Sequence, residues 1–144
     1  MSNAVKQPRG LRNNNPLNIR RSGDKWQGLR VLQEDREFFQ FSEMKWGWRA
    51  AFRLLCHTYY GKYKLRTIRD IITRWAPPKE NNTEAYIRRV TDRIGIAADR
   101  ELGSPTECPA TWMMIGIAMA IVENGTANLD YLSMLKGWEL AWDS

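Results

Sequence analysis

The first residue that could do chemistry is a glutamate at the end of an apolar helix. Residues 112–122 read Trp-Met-Met-Ile-Gly-Ile-Ala-Met-Ala-Ile-Val, which is apolar on every side of a helix and predicts a buried one. Glu123 follows directly. Apolar surroundings and the negative end of the helix dipole both favour its protonated carboxyl, which is the form a general acid needs. Glu123 is therefore a candidate catalytic acid; a helix end that has simply reached solvent is the alternative.

The rest of the composition argues against several other chemistries. His57 is the single histidine, and Cys56 and Cys108 lie far apart. These residues fit neither a zinc site, nor a disulfide framework, nor a Ser-His-Asp arrangement. We therefore expect no metal and no cofactor, and we interpret both cysteines as packing residues of a reduced protein.

The charge of the chain points to an anionic partner. Its 144 residues carry a net charge of +6 and give a pI of about 9.6. Nucleic acid and the bacterial cell wall, with its peptide carboxylates, are both anionic. The basic residues are spread along the chain rather than gathered on one recognition helix, so nucleic acid is not expected. No apolar segment is long enough to span a membrane.

The elements that must position Glu123 are mostly helices. Residues 1–10 are expected to form a flexible basic arm and residues 11–144 a single domain. Short segments at 29–33 and 37–41 predict a small β-hairpin. Apolar spacing and capping signals, with caps at Ser42, Thr67 and Thr83, predict five helices, at about 42–60, 67–75, 83–94, 109–123 and 129–140. The predicted fold is mainly α, in the α+β class.

Several segments resemble the lysozyme-like peptidoglycan N-acetylglucosaminidases, the family of flagellar-type wall hydrolases and many autolysins. Arg12-Asn-Asn-Asn-Pro-Leu-Asn-Ile-Arg20, followed by Trp26-Gln-Gly28, resembles that family's Asn-Asn-Leu-Phe-Gly-Ile-Lys and Trp-x-Gly segments. Residues 39–42 and 47–50 resemble its hairpin edge and following helix. Residues 75–86, which begin Trp-Ala-Pro-Pro and end in tyrosine, resemble its Tyr-Ala-Thr-Asp stretch with a downstream tyrosine. The chain also resembles small phage and prophage virion-structural proteins that carry the Arg-Asn-Asn-Asn-Pro and Trp-Ala-Pro-Pro segments.

The order of these segments implies a rearrangement. In the hydrolase family the catalytic glutamate precedes the Asn-Asn motif, in a helix ending Glu-Ser-x-x-Gly. Nothing before Asn13 supplies it here, whereas Ala120-Ile-Val-Glu-Asn-Gly125 has the matching character at the other end of the chain. The resemblance therefore implies a circularly permuted lysozyme-like domain. Two departures stand out: the family's Glu-Ser is Glu123-Asn124, and the Asp of its Tyr-Ala-Thr-Asp is Pro78.

The resemblance gives the asparagines a role in binding substrate. Asn15 and Asn18, and to a lesser extent Asn13 and Asn14, would hydrogen-bond N-acetyl groups and sugar hydroxyls. Asn124, beside the catalytic position, would also contact substrate. The alternative for the loop asparagines is turn formation, since Asn readily adopts left-handed and Asx-turn geometry.

Three aromatic residues are candidates for the same site. Tyr86 would orient the acetamido group or the attacking water, as the motif match implies. Trp75 and Trp26 would stack on sugar rings. The alternative for all three is an ordinary place in the core.

A second carboxylate would decide the mechanism. Glu34, Asp35 and Glu80 are the candidates, although most such residues are solvated surface charges. The separation of two carboxylates distinguishes retaining from inverting glycosidases. If none lies near Glu123, the acetamido group assists, or the sugar's own hydroxyl attacks in a transglycosylation.

The predicted function is cleavage of peptidoglycan glycan strands, as an N-acetylglucosaminidase, a muramidase or a lytic transglycosylase. We expect a monomer, made in the cytoplasm without a signal peptide, that reaches the wall after lysis, phage delivery or specialised secretion. One alternative is a non-catalytic phage or prophage structural protein that binds the wall. A second is a nucleic-acid-binding protein, which a salt-steep affinity for DNA would indicate.

Overall fold

Helices dominate the computed structural model, which describes residues 6–79 and 81–143. Within those ranges there are six α-helices and one π-helix, and the prediction of a mainly α fold is confirmed. The helices are α1 (Arg9–Arg12), α2 (Met44–Phe52), the π-helix (Arg53–Lys62), α3 (Ile68–Trp75), α4 (Thr83–Ile94), α5 (Pro109–Asn124) and α6 (Tyr131–Trp142).

Local capping chemistry sets the ends of three helices. Thr67 caps α3 as predicted, because its hydroxyl oxygen accepts the backbone N–H of Asp70 at 3.1 Å. The cap of α4 was predicted one residue too late: Asn82 accepts the N–H of Ala85, while the Thr83 hydroxyl donates to a carbonyl. Proline at the first position of α5 fits the missing intrahelical donor there.

The predicted helix from 42 to 60 differs at both ends. Ser42 does not cap it; its hydroxyl donates to the carbonyl of Gly28 at 3.0 Å, and α2 begins at Met44. At Arg53 the helix changes to a π-helix that continues to Lys62. The apolar spacing of this segment gives no sign of that change, and long π-helices are rare.

The predicted hairpin is reduced to single antiparallel bridges, Arg20 with Phe38 and Leu29 with Phe41. Two glutamine side chains take the place of strand pairing. The Gln33 amide nitrogen donates to the carbonyls of Arg30 and Gln40, and the Gln40 backbone N–H donates to the Gln33 side chain. The segment is therefore an ordered loop tied by side chains.

The chain separates into two compact units. Unit 1 comprises residues 1–51 and 123–144, and unit 2 comprises residues 52–122. Residues 1–5 of the predicted arm lie outside the described residues. Arg9 and Gly10 of that arm belong to α1, and Gly10 is buried.

Unit 1 is closed by two close helix contacts. Gly137 of α6 packs directly on Trp48 of α2, where any Cβ would collide with the tryptophan Cβ. Gly47 of α2 packs in the same way on the carbonyl oxygen of Asn14. Trp48 is 1% exposed, so these contacts surround one of the largest buried side chains.

Unit 2 is built around α3 and α4, which pack on each other. Its core includes Ile71, Ile72 and Val90, all fully buried. Both cysteines are free, as interpreted from the sequence. Burial raises the pKa of the Cys56 thiol to about 12, which makes it an unreactive packing residue.

Helix α5, which carries Glu123 in its last turn, is buried on one side rather than on every side as its apolar sequence predicted. Trp112, Ile115 and Met119 are fully buried, whereas Met114 is 39% exposed. None of the helices in the described residues has both the length and the apolar character needed to cross a membrane.

Candidate functional site

Glu123 lies in the last turn of α5, where Gly125 follows with a φ of 68°. Its side chain is half-buried. The Asn18 amide nitrogen donates to Glu123 Oε1 at 3.0 Å, although the two residues are 105 positions apart in sequence. Both residues belong to unit 1. The loop of residues 13–18, here called the asparagine loop, therefore meets the end of α5 at the Glu123 carboxylate.

A second asparagine ties the same helix end to the same loop. Asn124 is buried, and its amide nitrogen donates to the carbonyl of Pro16 at 2.8 Å. Gly10 of α1 lies against this junction: a Cβ there would be 2.8 Å from Asn18 Oδ1 and 2.9 Å from the carbonyl oxygen of Asn15. Since such distances are too short for carbon, the junction requires glycine at position 10.

The asparagine loop owes its shape to Asn15. This residue is fully buried; its oxygen accepts the N–H of Ile19, and its nitrogen donates to the carbonyls of Ile19 and Phe39. Asn14 and Asn18 have φ values of 52° and 53°, a left-handed geometry that asparagine tolerates well. Asn15 therefore fits the turn-forming alternative, while Asn18 is the loop residue that reaches Glu123.

Trp26 lies in unit 1 and is half-buried. Its indole N–H is buried without a hydrogen-bond partner in residues 6–79 and 81–143. Gly28, two residues later, has a φ of 81° and packs against the Trp46 side chain, where a Cβ would collide. The Trp-x-Gly segment thus makes a tight turn.

Tyr86 and Trp75 belong to unit 2. The Tyr86 hydroxyl donates to the carbonyl of Met119 at 3.4 Å, and the tyrosine is 9% exposed. Trp75 is half-buried and meets the ring of Tyr59 edge-on at a centroid distance of 6.2 Å. These surroundings fit the core alternative, and a shared cleft with Glu123 stays a prediction.

Asp35 is the most heavily bonded carboxylate described in unit 1. Arg9 binds both of its oxygens at 2.7 Å. The Asn13 amide and the backbone N–H groups of Glu37 and Phe38 also donate to it, at 2.9–3.0 Å. The Arg9 guanidinium above all holds the pKa of Asp35 well below its usual range. Asp35 is therefore ionised at neutral pH and cannot act as a second acid there.

The other two candidates for a second carboxylate are less constrained. Glu34 is exposed, and Gln40 Oε1 accepts its backbone N–H at 2.6 Å. Glu80 lies outside the described residues. In the part of the chain that the structure describes, no three His, Cys, Asp or Glu side chains converge to hold a metal ion.

A polar cleft of about 290 Å³ opens beside Asp35. Its lining includes Asn13 and Gln40, which are buried and bonded to each other through Gln40 Nε2 and Asn13 Oδ1 at 3.0 Å. The remaining lining residues are charged: Arg9, Arg12, Arg30, Glu34 and Asp35. Sequence reasoning missed the cleft, because nothing in the spacing of Arg9 and Asp35 signals their contact.

Comparison with known proteins gives one clear similarity. Protein P5 of Pseudoalteromonas phage PM2 is 41% identical to this chain over 134 residues, which cover 91% of this chain and 80% of that protein. No model of a known protein family matches the chain.

Proposed function

The chain belongs to the family of Protein P5 of Pseudoalteromonas phage PM2, and we propose that it cuts peptidoglycan glycan strands with Glu123 as the general acid. The contact between Asn18 and Glu123 carries the proposal. In the hydrolases that the sequence resembles, the glutamate helix and the Asn-Asn motif are consecutive. Here they lie at opposite ends of the chain and still meet, which is the juxtaposition that a circular permutation requires.

The Asn18 amide holds one oxygen of the Glu123 carboxyl in place for the proposed proton transfer. Glu123 Oε1 accepts from this neutral amide, a bond that forms with either the neutral or the ionised carboxyl. In the proposed step the carboxyl proton of Glu123 passes to the glycosidic oxygen as the bond from the anomeric carbon breaks, and that oxygen keeps the electron pair.

Asp35 is not available as a second carboxylate, because Arg9 engages both of its oxygens. We propose that the acetamido group assists or that the sugar's own hydroxyl attacks the anomeric carbon. In either route the attacking water or hydroxyl loses its proton to the Glu123 carboxylate, which restores the acid. Hydrolysis leaves a reducing end, and attack by the internal hydroxyl leaves an anhydro-sugar.

The phage relative suggests how such an activity would reach its substrate. We propose that the protein acts as a monomer on the bacterial wall, after phage delivery or lysis. The net charge of +6 favours a wall that carries carboxylates.

Mass spectrometry of fragments released from purified peptidoglycan tests the proposal. We expect soluble glycan fragments, whose ends identify the bond: reducing N-acetylglucosamine, reducing N-acetylmuramic acid or an anhydro-sugar. Heat-unfolded protein is the control. Absence of fragments from several wall types would contradict the proposal.

A non-catalytic wall-binding protein of the phage particle is the second candidate, and the phage relative favours it. It predicts that the folded protein cosediments with peptidoglycan and releases nothing. Cosedimentation and fragment release, measured on the same samples, separate the two functions.

A further inference from the structure

The cleft beside Asp35 holds charges that have no partner of opposite charge among residues 6–79 and 81–143. Of its arginines, Arg9 is paired with Asp35 and Glu37. Arg12 has no hydrogen bond or ion pair through its side chain within residues 6–79 and 81–143. Arg30 donates only to carbonyls over the same ranges, from Nε to Phe41 at 3.0 Å and from a terminal nitrogen to Arg12 at 2.8 Å. Two guanidinium groups are therefore available to an anion.

One anion in the same cleft is also unneutralised. The Glu34 carboxylate has no ion pair among the described residues, although its backbone is fixed by Gln40. A simple anion such as phosphate would gain from the two arginines and be repelled by Glu34. A ligand that carries a carboxylate and an ammonium group matches all three charges.

Hydrogen bonds link the polar side chains that line the cleft. Gln40 Nε2 donates to Asn13 Oδ1, and Asn13 Nδ2 donates to Asp35, each at 3.0 Å. Asp35 in turn is held by Arg9 on both oxygens. Such a preformed network lowers the ordering cost of binding.

Helix α1 places this cleft close to the proposed catalytic residue. Gly10 packs against Asn18, which bonds Glu123, while Arg9 and Arg12 of the same turn line the cleft. A helix with its side chains is about 10–12 Å across.

We propose that the cleft binds a free amino-acid end, with carboxylate and ammonium on one carbon, in the peptide stem of peptidoglycan. Arg12 and Arg30 receive the carboxylate, and Glu34 receives the ammonium. The inference rests on the proposed function, in which peptidoglycan is the substrate. The cleft would then make the protein bind more tightly to walls with one kind of peptide stem than to walls with another. A meso-diaminopimelate residue that is not cross-linked carries the carboxylate and the ammonium group on one side-chain carbon. A lysine residue carries the ammonium group but lacks that carboxylate.

Isothermal titration tests the assignment on Glu123→Gln protein, which keeps the glycan intact. The probes are two disaccharide tetrapeptides that differ only in meso-diaminopimelate or lysine at the third position. Since exposed charge pairs contribute up to about 1 kcal/mol, the first probe is expected to bind about fivefold more tightly. Arg12→Ala should abolish the preference, and Glu34→Gln should weaken binding of both probes. Arg89→Ala, at an exposed arginine that does not line the cleft, should change neither affinity.

Three results would overturn the assignment: equal affinity for both probes, a preference that survives in Arg12→Ala, or no binding of either probe. A fourth result would also overturn the assignment: inorganic phosphate displaces the peptide from the wild-type cleft but not from the Arg12→Ala cleft. The cleft would then be a site for any anion. Cleavage is scored separately with wild-type protein. A preference for diaminopimelate without cleavage sustains the cleft and removes the catalytic proposal.

Discussion

Two carboxylates of unit 1 join different parts of the chain. Asp35 receives five hydrogen bonds, two of them from the Arg9 guanidinium. Arg9 above all holds the pKa of Asp35 low, so this carboxylate is ionised and ties its own loop to α1. Glu123 receives the amide of Asn18, which joins the end of α5 to the loop of residues 13–18. That amide can donate to Glu123 Oε1 whether the carboxyl is neutral or ionised.

The largest expected effect on stability comes from removing the charge of Asp35. Asp35→Asn keeps the shape but loses the ion pair, and hydrogen bonds to charged groups contribute about 1.5–3 kcal/mol each. Because Arg9 is 41% exposed, solvent screens the pair, and we expect a fall in the free energy of unfolding that is well below the sum of these contributions. Urea unfolding measures it. At urea concentrations well below the unfolding midpoint of the variant, cleavage should stay near the wild-type rate. A hundredfold loss of cleavage there would show that Asp35 takes part in the reaction and does not only stabilise the fold.

The next loss of stability is expected where α1 meets the glutamate junction. In Gly10→Ala the added Cβ would press on the side-chain oxygens of Asn18 and Asn124. Overpacking of this kind costs about 1–3 kcal/mol, and the shift should also move Glu123 and slow cleavage. Gly23→Ala is the matched control, because a Cβ there meets nothing within 4 Å. Equal thermal stability of the two variants would show that the junction is looser than described.

Replacing Asn18 with glycine distinguishes the contribution of its side-chain amide from that of its left-handed backbone. Asn18→Gly keeps the left-handed backbone and removes the donor to Glu123. We expect cleavage to fall about tenfold, as for an interaction of about 1.4 kcal/mol in the transition state. Asn14→Gly, at a φ of 52°, is the control; its amide donates to the carbonyl of Phe41 and not to Glu123, so we expect a smaller fall in the rate. If both variants cleave at the wild-type rate, the amide does not position the acid.

The stability that Asp35 provides also depends on pH. Its pKa is lowered in the folded state, chiefly by Arg9, so the stabilisation is complete above the unfolded value of about 3.9 and is lost as pH falls towards the folded value. The difference in unfolding free energy between wild type and Asp35→Asn should therefore be constant from pH 5 to 7 and shrink below about pH 4. A constant difference down to pH 2 would contradict this origin.

Local signals in the sequence predicted the parts of the fold that local chemistry controls. The Thr67 cap of α3 and the Pro109 start of α5 follow from short-range bonds and backbone geometry. At α4 two adjacent residues can both cap, and the sequence could not say that Asn82 would do so. The hairpin failed because the side chains of Gln33 and Gln40 compete with strand pairing.

In the candidate site, too, local patterns were predictable from the sequence and long-range contacts were not. Glu123 was found from the apolar helix before it, which is a local pattern. Its contact with Asn18 was expected only through a resemblance to permuted motifs. The pairing of Arg9 with Asp35 spans 26 residues without any periodic pattern, and Asn15 was assigned to substrate although it is fully buried. Contacts between distant loops follow from the folded structure alone.

The rate at which Glu123→Gln releases soluble fragments from purified peptidoglycan tests the central claim most directly. The substitution keeps the side-chain shape and removes the proton, so the variant should fold, bind peptidoglycan and cleave about 10²–10⁴-fold more slowly than wild type. Glu101→Gln makes the same change at an exposed position and should cleave normally. A Glu123→Gln rate close to that of Glu101→Gln would contradict the assignment of Glu123 as the acid.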